Sequence, residues 1–398
     1  MQNDFMLLML VWFGYVVFEL VNPEARSAVA WFYAMRGIGF YWLLGFGLAF
    51  YYYRRPEDVD RFLNMVVGIS VLGSIWGLRQ KIFGTDAAED HWLYAEGHFD
   101  EHILFGVLRV FSFYSDAGQF GSSQAMFALV CGIIAIGPGT LKHRLWYGFA
   151  ALMIFVGFGI SGTRGALAVP AFGGIIFLLM TKNFRILTLG LVAAFTVFFI
   201  LKYTTLFHSV EPVQRMRTAL DPNDPSLLAR LRNQQTYHRY LATRPFGAGV
   251  GTAGFWGQRF SPGTVPAETP TDSWFVKIWA ETGIVGLSLH CFFLGYFLGK
   301  GGNIIWHLRD RRLAYKIMGL YAGLGGVIVS SYGNQVLGQL PTGMIISVAM
   351  PVILMAGEYD AELTRRAAQL RPADTADAPD APVGSSPVPS GAHMRAGP

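Results

Sequence analysis

Arginine without lysine marks the longest polar segment of this sequence, residues 203–271. The segment holds seven arginines, no lysine and only four acidic residues. Its arginines are Arg215, Arg217, Arg230, Arg232, Arg239, Arg244 and Arg259, and its acids are Glu211, Asp221, Asp224 and Glu268. A guanidinium donates two parallel hydrogen bonds to a phosphate or a carboxylate, whereas an ammonium acts as a point charge. The segment therefore predicts an anion-binding site, and a basic solvated loop is the alternative.

Two further arginines stand in short polar stretches outside that segment. Arg164 belongs to SGTRGALAVP, residues 161–170, which separates two apolar runs. Arg109 opens RVFSFYSDAGQFG, residues 109–121. A charge beside apolar runs is costly, so both arginines are candidates for a functional role.

Membrane-spanning helices must position these arginines. Apolar residues make up 53% of the chain and charged residues 14%, which is typical of a protein surrounded by lipid. About ten apolar segments approach the roughly 17–25 residues that a bilayer requires. They lie near residues 5–21, 36–53, 61–79, 119–136, 145–160, 165–180, 185–202, 273–298, 313–332 and 342–357. The first lacks a basic leader and a cleavage site, so we interpret it as a retained span. The sequence predicts an all-α polytopic membrane protein with one large external loop that contains helices.

Basic residues in the short loops set the predicted orientation. They cluster after the second, fourth, sixth and eighth segments, which the positive-inside rule assigns to the cytoplasm. They are Arg54, Arg55, Arg61, Lys142, Arg144, Lys182, Arg185, Lys300, Arg309, Arg311, Arg312 and Lys316. Both termini are then cytoplasmic, and residues 203–271 are external. Residues 1–357 form the predicted membrane domain, and the tail 358–398, rich in Pro, Ala and Ser, is predicted to be disordered.

One helix is predicted inside the large loop. Ser226 is placed to cap it, and it must end near Pro245. At 100° per residue, one face carries Leu228, Arg232, Gln235 and Arg239, which suits a polar cavity or a solvated surface equally. The glycine-rich FGAGVGTAG that follows lacks the strand and helix context of a nucleotide loop. We expect it to make a turn that brings amides near an anion or packs against the spans.

These motifs together resemble the O-antigen ligase and polymerase superfamily. The likeness rests on SGTRGA opening a span, a long external loop ending in PFGAGVGT, and TDSWFVKIWAETGIVGL opening the next span. RVFSFYSDAGQFG resembles an earlier arginine-led segment of that family. With the spans, the resemblance covers most of residues 60–357.

The resemblance implies a GT-C-like membrane glycosyltransferase that needs neither metal nor cofactor. Its substrates would be an undecaprenyl-pyrophosphate-linked glycan and an acceptor glycan, met at the periplasmic face of the bacterial inner membrane. Membrane lipid, and a chain-length regulator or export proteins, are the implied partners, and nucleic acid is not. The leaving pyrophosphate needs fixed donors, which also follows from the chemistry alone. The arginines expected to hold it are Arg109, Arg164, Arg230, Arg232 and Arg239.

One position departs from the family pattern. Ligases of this superfamily begin the span after the large loop with a His-Asn pair, and here the matching residues are Asp272 and Ser273. A carboxylate can serve as general base for a sugar hydroxyl, so Asp272 and Glu268 are the candidate catalytic residues. The alternative role of Asp272 is a helix N-cap. Glu281, inside the same span, is expected to have a basic or polar partner.

Three functions remain open from the sequence. The first is polymerisation of lipid-linked repeat units into an exopolysaccharide or O-antigen. The second is ligation of a finished glycan to lipid A core or a protein, and the third is transport of polysaccharide or lipid. Other polar groups have two interpretations each: His91, His98 and His102 as metal ligands or as a solvated loop, and the turn with Tyr332, Asn334, Gln335 and Gln339 as sugar-binding groups or as a cap on two spans.

Overall fold

A computed structural model describes residues 3–95, 97–104, 106–204, 214, 217 and 223–369 of the chain. Fourteen helices of seven or more residues occur there. They are α1 Asn3–Phe18, α2 Ala28–Met35, α3 Tyr41–Tyr52, α4 Pro56–Phe83, α5 Ala117–Ile136, α6 Leu141–Ile160, α7 Ala168–Met180, α8 Phe184–Tyr203, α9 Pro225–Leu241, α10 Gly254–Phe260, α11 Trp274–Trp306, α12 Arg311–Ser330, α13 Thr342–Leu354 and α14 Ala356–Gln369. Shorter helices span Ala87–Asp90, Phe99–His102 and Val265–Glu268, and one antiparallel hairpin pairs β1 Ile103–Leu104 with β2 Val107–Leu108.

The predicted all-helical membrane class is confirmed, but ten spans are not. A helix occurs in each of the ten apolar segments. Within the described residues, six helices are long and apolar enough to cross a bilayer: α1 with the turn after it, α4, α5, α6, α11 and α12. The bent pair α13 and α14 raises the number to seven. The difference arises because several segments, such as α7 with 13 residues, are short or broken as helices.

Helix α12 lies at the centre of the bundle. In its apolar window 83% of the residues are buried, against 28% in α6. Small residues allow its neighbours to approach closely: a methyl group on Gly326 would lie 2.4 Å from the carbonyl oxygen of Val169 in α7. Other helices therefore surround most of α12.

Charged contacts divide between two ends of the bundle. One end carries the C-terminal helix α14, and there Lys316 pairs with Asp60 at 2.5 Å, near the start of α4 and α12. At the opposite end, which we call the loop end, Arg164 pairs with Asp224 just before α9. The loop end comprises residues 161–167, 223–273 and 330–341.

The C-terminal helix α14 changes one predicted boundary. The disordered tail is expected from residue 358, but α14 continues to Gln369. Asp360 fixes it by accepting from the backbone amides of Arg309, at 3.1 Å, and Asp310, at 2.7 Å. These contacts supply the order that composition alone does not indicate. Residues 370–398 lie outside the described part of the chain.

Helix α11 is broken at Gly283, where φ is 65° and ψ is −169°. The glycine-rich turn packs into this break, since the Gly249 amide donates to the carbonyl oxygen of Glu281 at 2.9 Å. A methyl group on Gly283 would lie 2.0 Å from the carbonyl oxygen of Pro245, so only glycine fits. The break therefore fixes the chain that follows α9 onto α11.

Candidate functional site

Three segments converge at the loop end. The Arg164 turn meets the turn after α12, where the Ser330 hydroxyl donates to the Gly165 carbonyl oxygen at 3.0 Å. The start of α11 joins the same turn, because the Trp274 amide lies 3.0 Å from the carbonyl oxygens of both Ser331 and Asn334. Helix α9 covers this junction. The sequence separates these parts by up to 170 positions, and the fold places them together.

Helix α9 begins two residues earlier than its predicted cap implies. Asp224, not Ser226, is the N-cap, and its carboxylate accepts from the amides of Ser226 at 3.0 Å and Leu227 at 3.2 Å. The predicted cap was wrong because the stretch DPNDPS offers several residues that cap equally well. The predicted end before Pro245 is confirmed, since α9 ends at Leu241.

The two faces of α9 have different surroundings. Tyr237 is fully buried, and its hydroxyl lies 2.7 Å from the Thr269 carbonyl oxygen. Burial raises the pKa of that hydroxyl, with a smaller effect from the charge of Glu281. Arg232 and Arg239 lie on the exposed face. The predicted stripe of Leu228, Arg232, Gln235 and Arg239 is therefore turned away from the bundle.

A pocket opens between the inner face of α9 and the start of α11. Its lining comprises Arg230, Asn233, Gln234, Pro270, Asp272, Ser273 and Val276. A methyl group on Gly333 would lie 3.4 Å from Nη1 of Arg230, so the guanidinium also lies against the turn after α12. One arginine and one aspartate thus line the same small pocket.

The two charged side chains of the pocket, Arg230 and Asp272, form no ion pair with another residue of the described chain. Arg230 is half-buried and forms no ion pair with any residue in the described part of the chain. Asp272 is exposed, and its carboxylate accepts no hydrogen bond there either. Such groups are available to a ligand: the guanidinium to an anion, and the carboxylate to a proton.

The helix cap at the start of α11 is Ser273. Its hydroxyl accepts from the Val276 amide, and its backbone is extended, with φ −117° and ψ 137°. Asp272 precedes the cap and takes no part in it. The predicted alternative role of Asp272 as N-cap is therefore wrong, because the neighbouring serine fills that position.

Arg164 is engaged with the start of α9. It forms an ion pair with Asp224, and its Nη2 donates to the Ser226 hydroxyl at 2.9 Å. Burial opposes ionisation of Asp224, but the hydrogen bond from Arg164 and the capped amides outweigh it and lower the pKa of the carboxyl group. Arg164 thus joins α9 to the membrane-side turn, about one and a half helical turns from Arg230.

Two other predicted residues lie outside the pocket lining. The Arg109 amide donates to the His102 carbonyl oxygen at 2.8 Å where the β hairpin ends, and its side chain is half-buried. Glu268 is exposed and accepts from the Gly263 amide at 3.0 Å. Arg215, Glu211 and Asp221 lie outside the described residues.

The expected polar partner of Glu281 is backbone. Its side chain is fully buried, and Oε1 accepts from the Ala253 amide of the glycine-rich turn at 3.4 Å. The turn therefore packs against the span and presents an amide to the carboxyl group of Glu281.

The histidine-rich segment does not assemble a metal-binding group among the described residues. His102 is buried, with Nδ1 2.9 Å from the His98 carbonyl oxygen. Glu89 pairs with Arg79 at 2.8 Å.

Sequence reasoning missed three residues that shape this region. Asn233 and Gln234 line the pocket, and Asp224 pairs with Arg164. Asp224 precedes a proline that can begin a helix, so that signal was present in the sequence. The other two depend on which face of α9 packs inward, which residue types do not specify. Tyr332, one of the candidate sugar-binding residues, contacts Gln234.

The family comparison agrees with the motifs. Residues 149–291 match the family described as O-antigen ligase, which supports the superfamily that the sequence resembles. The matched range includes Arg164, all of α9 and the first half of α11. A search of curated proteins finds no match. The family indicates membrane glycosyltransferase-like activity of the ligase or polymerase kind, with a lipid-linked glycan and an acceptor as general substrates.

Proposed function

We propose, from the match of residues 149–291 to the O-antigen ligase family, that the chain is a polymerase of lipid-linked glycan repeat units. It would transfer the growing glycan from undecaprenyl pyrophosphate to an acceptor repeat unit at the periplasmic face of the inner membrane. The observation that carries the proposal is the pocket that Arg230 and Asp272 both line.

The proposed reaction breaks one bond and forms one. The acceptor hydroxyl attacks the anomeric carbon of the donor sugar, and its proton passes to the Asp272 carboxylate. The bond between that carbon and the phosphate oxygen breaks, and the electron pair leaves with the pyrophosphate. Arg230 stabilises the developing negative charge, with Arg164 close to the same end of α9. Protein cations perform the neutralisation in this scheme, so no metal ion takes part.

The remaining predicted arginines have weaker support as pyrophosphate ligands. Arg232 and Arg239 lie on the exposed face of α9, and Arg109 lies at the hairpin. A long lipid-linked donor extends beyond the pocket, so these residues are proposed to contact its outer parts and not the reacting phosphate.

Polymerisation is favoured over ligation by one feature. Asp272 and Ser273 stand where ligases of the superfamily have a His-Asn pair, which argues against histidine-based ligation to lipid A core. Ligation of a finished glycan to lipid A core or protein is the second candidate.

Deletion of the gene separates these candidates. With a polymerase, the mutant displays single repeat units on its surface, because ligation continues without elongation. With a ligase, the mutant accumulates full-length polymer that is not attached to its acceptor. Unchanged surface glycan would contradict both functions.

The orientation requires its own test. Cysteine at exposed Gln258, in a Cys291→Ser background, is expected to react with a membrane-impermeant maleimide added to intact spheroplasts. Cysteine at exposed Arg365 in α14 is the matched control and is expected to react only after permeabilisation. The reverse pattern would place the pocket in the cytoplasm and remove the proposed mechanism.

A further inference from the structure

Tyr332 has an unusual position for an exposed aromatic residue of a membrane protein. It follows α12, the helix at the centre of the bundle, and 52% of the residue is exposed. Tyrosines at the rim of a bundle commonly anchor the protein at the lipid interface. Most of α12 is surrounded by other helices, and Tyr332 lies at its loop end, where the Gln234 side chain of α9 contacts it.

Contacts place the ring beside the pocket. Gln234 lines the pocket, and its Nε2 donates to the Tyr332 hydroxyl oxygen at 3.3 Å. The hydroxyl hydrogen has no acceptor among the described residues. Gly333, the next residue, lies against the Arg230 guanidinium. Tyr332 is thus a half-exposed aromatic residue whose hydroxyl can donate a hydrogen bond, and the next residue in the chain lies against the cation of the site.

Its polar neighbours in the same turn have structural roles. Asn334 donates to the hydroxyls of Ser122, at 3.1 Å, and Ser330, at 3.0 Å. Gln335 donates to Thr271 just before α11. These contacts favour the cap interpretation for both amides, and they hold the turn so that Tyr332 has a fixed place.

We infer that Tyr332 is a specificity-determining residue that binds a pyranose ring of the glycan substrate. A pyranose has apolar C–H faces and a rim of hydroxyls, and the tyrosine side chain matches both with an apolar face and a polar tip. In this arrangement Arg230 binds the phosphate of a phosphate-linked glycan, and Tyr332 binds its sugar ring. The inference rests on the proposed function, and the ring belongs either to the lipid-linked donor or to the acceptor.

The test compares substitutions of the ring in purified protein reconstituted into nanodiscs. Tyr332→Ala removes the ring and the hydroxyl, Tyr332→Phe removes only the hydroxyl, and Tyr332→Trp keeps an aromatic face. Tyr94→Ala is the matched control, since Tyr94 is 61% exposed in another segment predicted to be external. Transfer is measured with the carrier-linked repeat unit as donor and oligosaccharide as acceptor, each varied separately.

We expect Tyr332→Ala to raise one KM about tenfold, equivalent to about 1.4 kcal/mol, with kcat nearly unchanged. Tyr332→Phe should show a smaller rise, and Tyr332→Trp and Tyr94→Ala should resemble wild type. A rise in KM for the donor assigns the ring to the donor sugar, and a rise for the acceptor assigns it to the acceptor. An unchanged KM for both substrates, or a loss confined to kcat, overturns the inference.

A binding measurement separates this inference from the proposed function. Repeat-unit oligosaccharide released by mild acid from the surface glycan of the source strain is titrated onto wild type and Tyr332→Ala, and binding is followed by saturation-transfer NMR. If wild type lacks transferase activity but binds the oligosaccharide more strongly than Tyr332→Ala, the proposed function fails and the inference holds. If wild type and Tyr332→Ala bind equally, or neither binds, the inference fails whatever the activity.

Discussion

The two faces of α9 carry the same residue type in different surroundings. Arg230 points inward to a pocket with Asp272, while Arg232 and Arg239 lie on the exposed face. Buried Tyr237 fixes which face is turned inward. An arginine-rich helix therefore does not constitute a site along its whole length. The packing of one aromatic residue selects the arginine that lines the pocket with Asp272.

The largest expected effect concerns the carboxylate on the inner side of this comparison. Asp272→Asn should reduce transfer by about 10²–10⁴-fold, because the amide cannot accept the proton of the acceptor hydroxyl. Ser273 caps α11, so the substitution should leave the helix intact. Carrier turnover and glycan length would be measured in membranes at matched protein levels. Glu268→Gln, at an exposed acid outside the pocket lining, is the control and should remain active. Near-normal product from Asp272→Asn would exclude it as the general base.

A second prediction tests whether the break in α11 at Gly283 holds the inner face of α9 against the protein. Gly283→Ala should prevent correct docking of the chain after α9, because its positive φ costs about 1–3 kcal/mol for alanine, and the methyl group overlaps Pro245 as well. Folded protein would be measured by size-exclusion chromatography in detergent. Gly295→Ala in the same helix is the control, since a methyl group there has no neighbour within 4 Å. Equal yields from both variants would show that the break does not position α9.

Sequence patterns could predict the elements of this site but not their pairing. The apolar runs predicted the helices, and proline predicted the end of α9. Spacing along a helix gives the angles between Arg230, Arg232 and Arg239, but not which of them faces the protein, since that depends on distant partners such as Thr269. Asp272 was identified as a departure from the family pattern, and only the hydroxyl contact of Ser273 with Val276 shows that it is no cap.

A third prediction compares the two faces directly. Arg230→Lys should lower kcat/KM about tenfold or more, because it keeps the charge but loses the fork that pairs with phosphate oxygens. Arg232→Lys and Arg239→Lys should each change kcat/KM by less than that, since both lie outside the pocket lining. The same donor-saturation assay serves all three variants. A loss of similar size in all three would mean that the pyrophosphate binds along the exposed face.

The smallest expected effect concerns the contact that joins α9 to the Arg164 turn. Asp224→Asn keeps the cap, because asparagine caps as well as aspartate, but it removes the ion pair with Arg164. The pKa of Asp224 is lowered in the folded protein, so the pair contributes stability above the ordinary carboxyl range and loses it as the pH falls below about 4. For a partly exposed pair the contribution is about 1 kcal/mol or less. Thermal unfolding in detergent, followed from pH 7 to pH 3, should show a higher unfolding temperature for wild type than for Asp224→Asn at pH 5–7, with the two curves converging below pH 4.

Ser226→Ala is the control, because it removes a contact of Arg164 that does not titrate. The difference in unfolding temperature between Ser226→Ala and wild type should therefore not change as the Asp224 carboxyl group is protonated. A gap between wild type and Asp224→Asn that stays constant or widens at low pH would mean that the folded protein does not stabilise the ionised carboxylate.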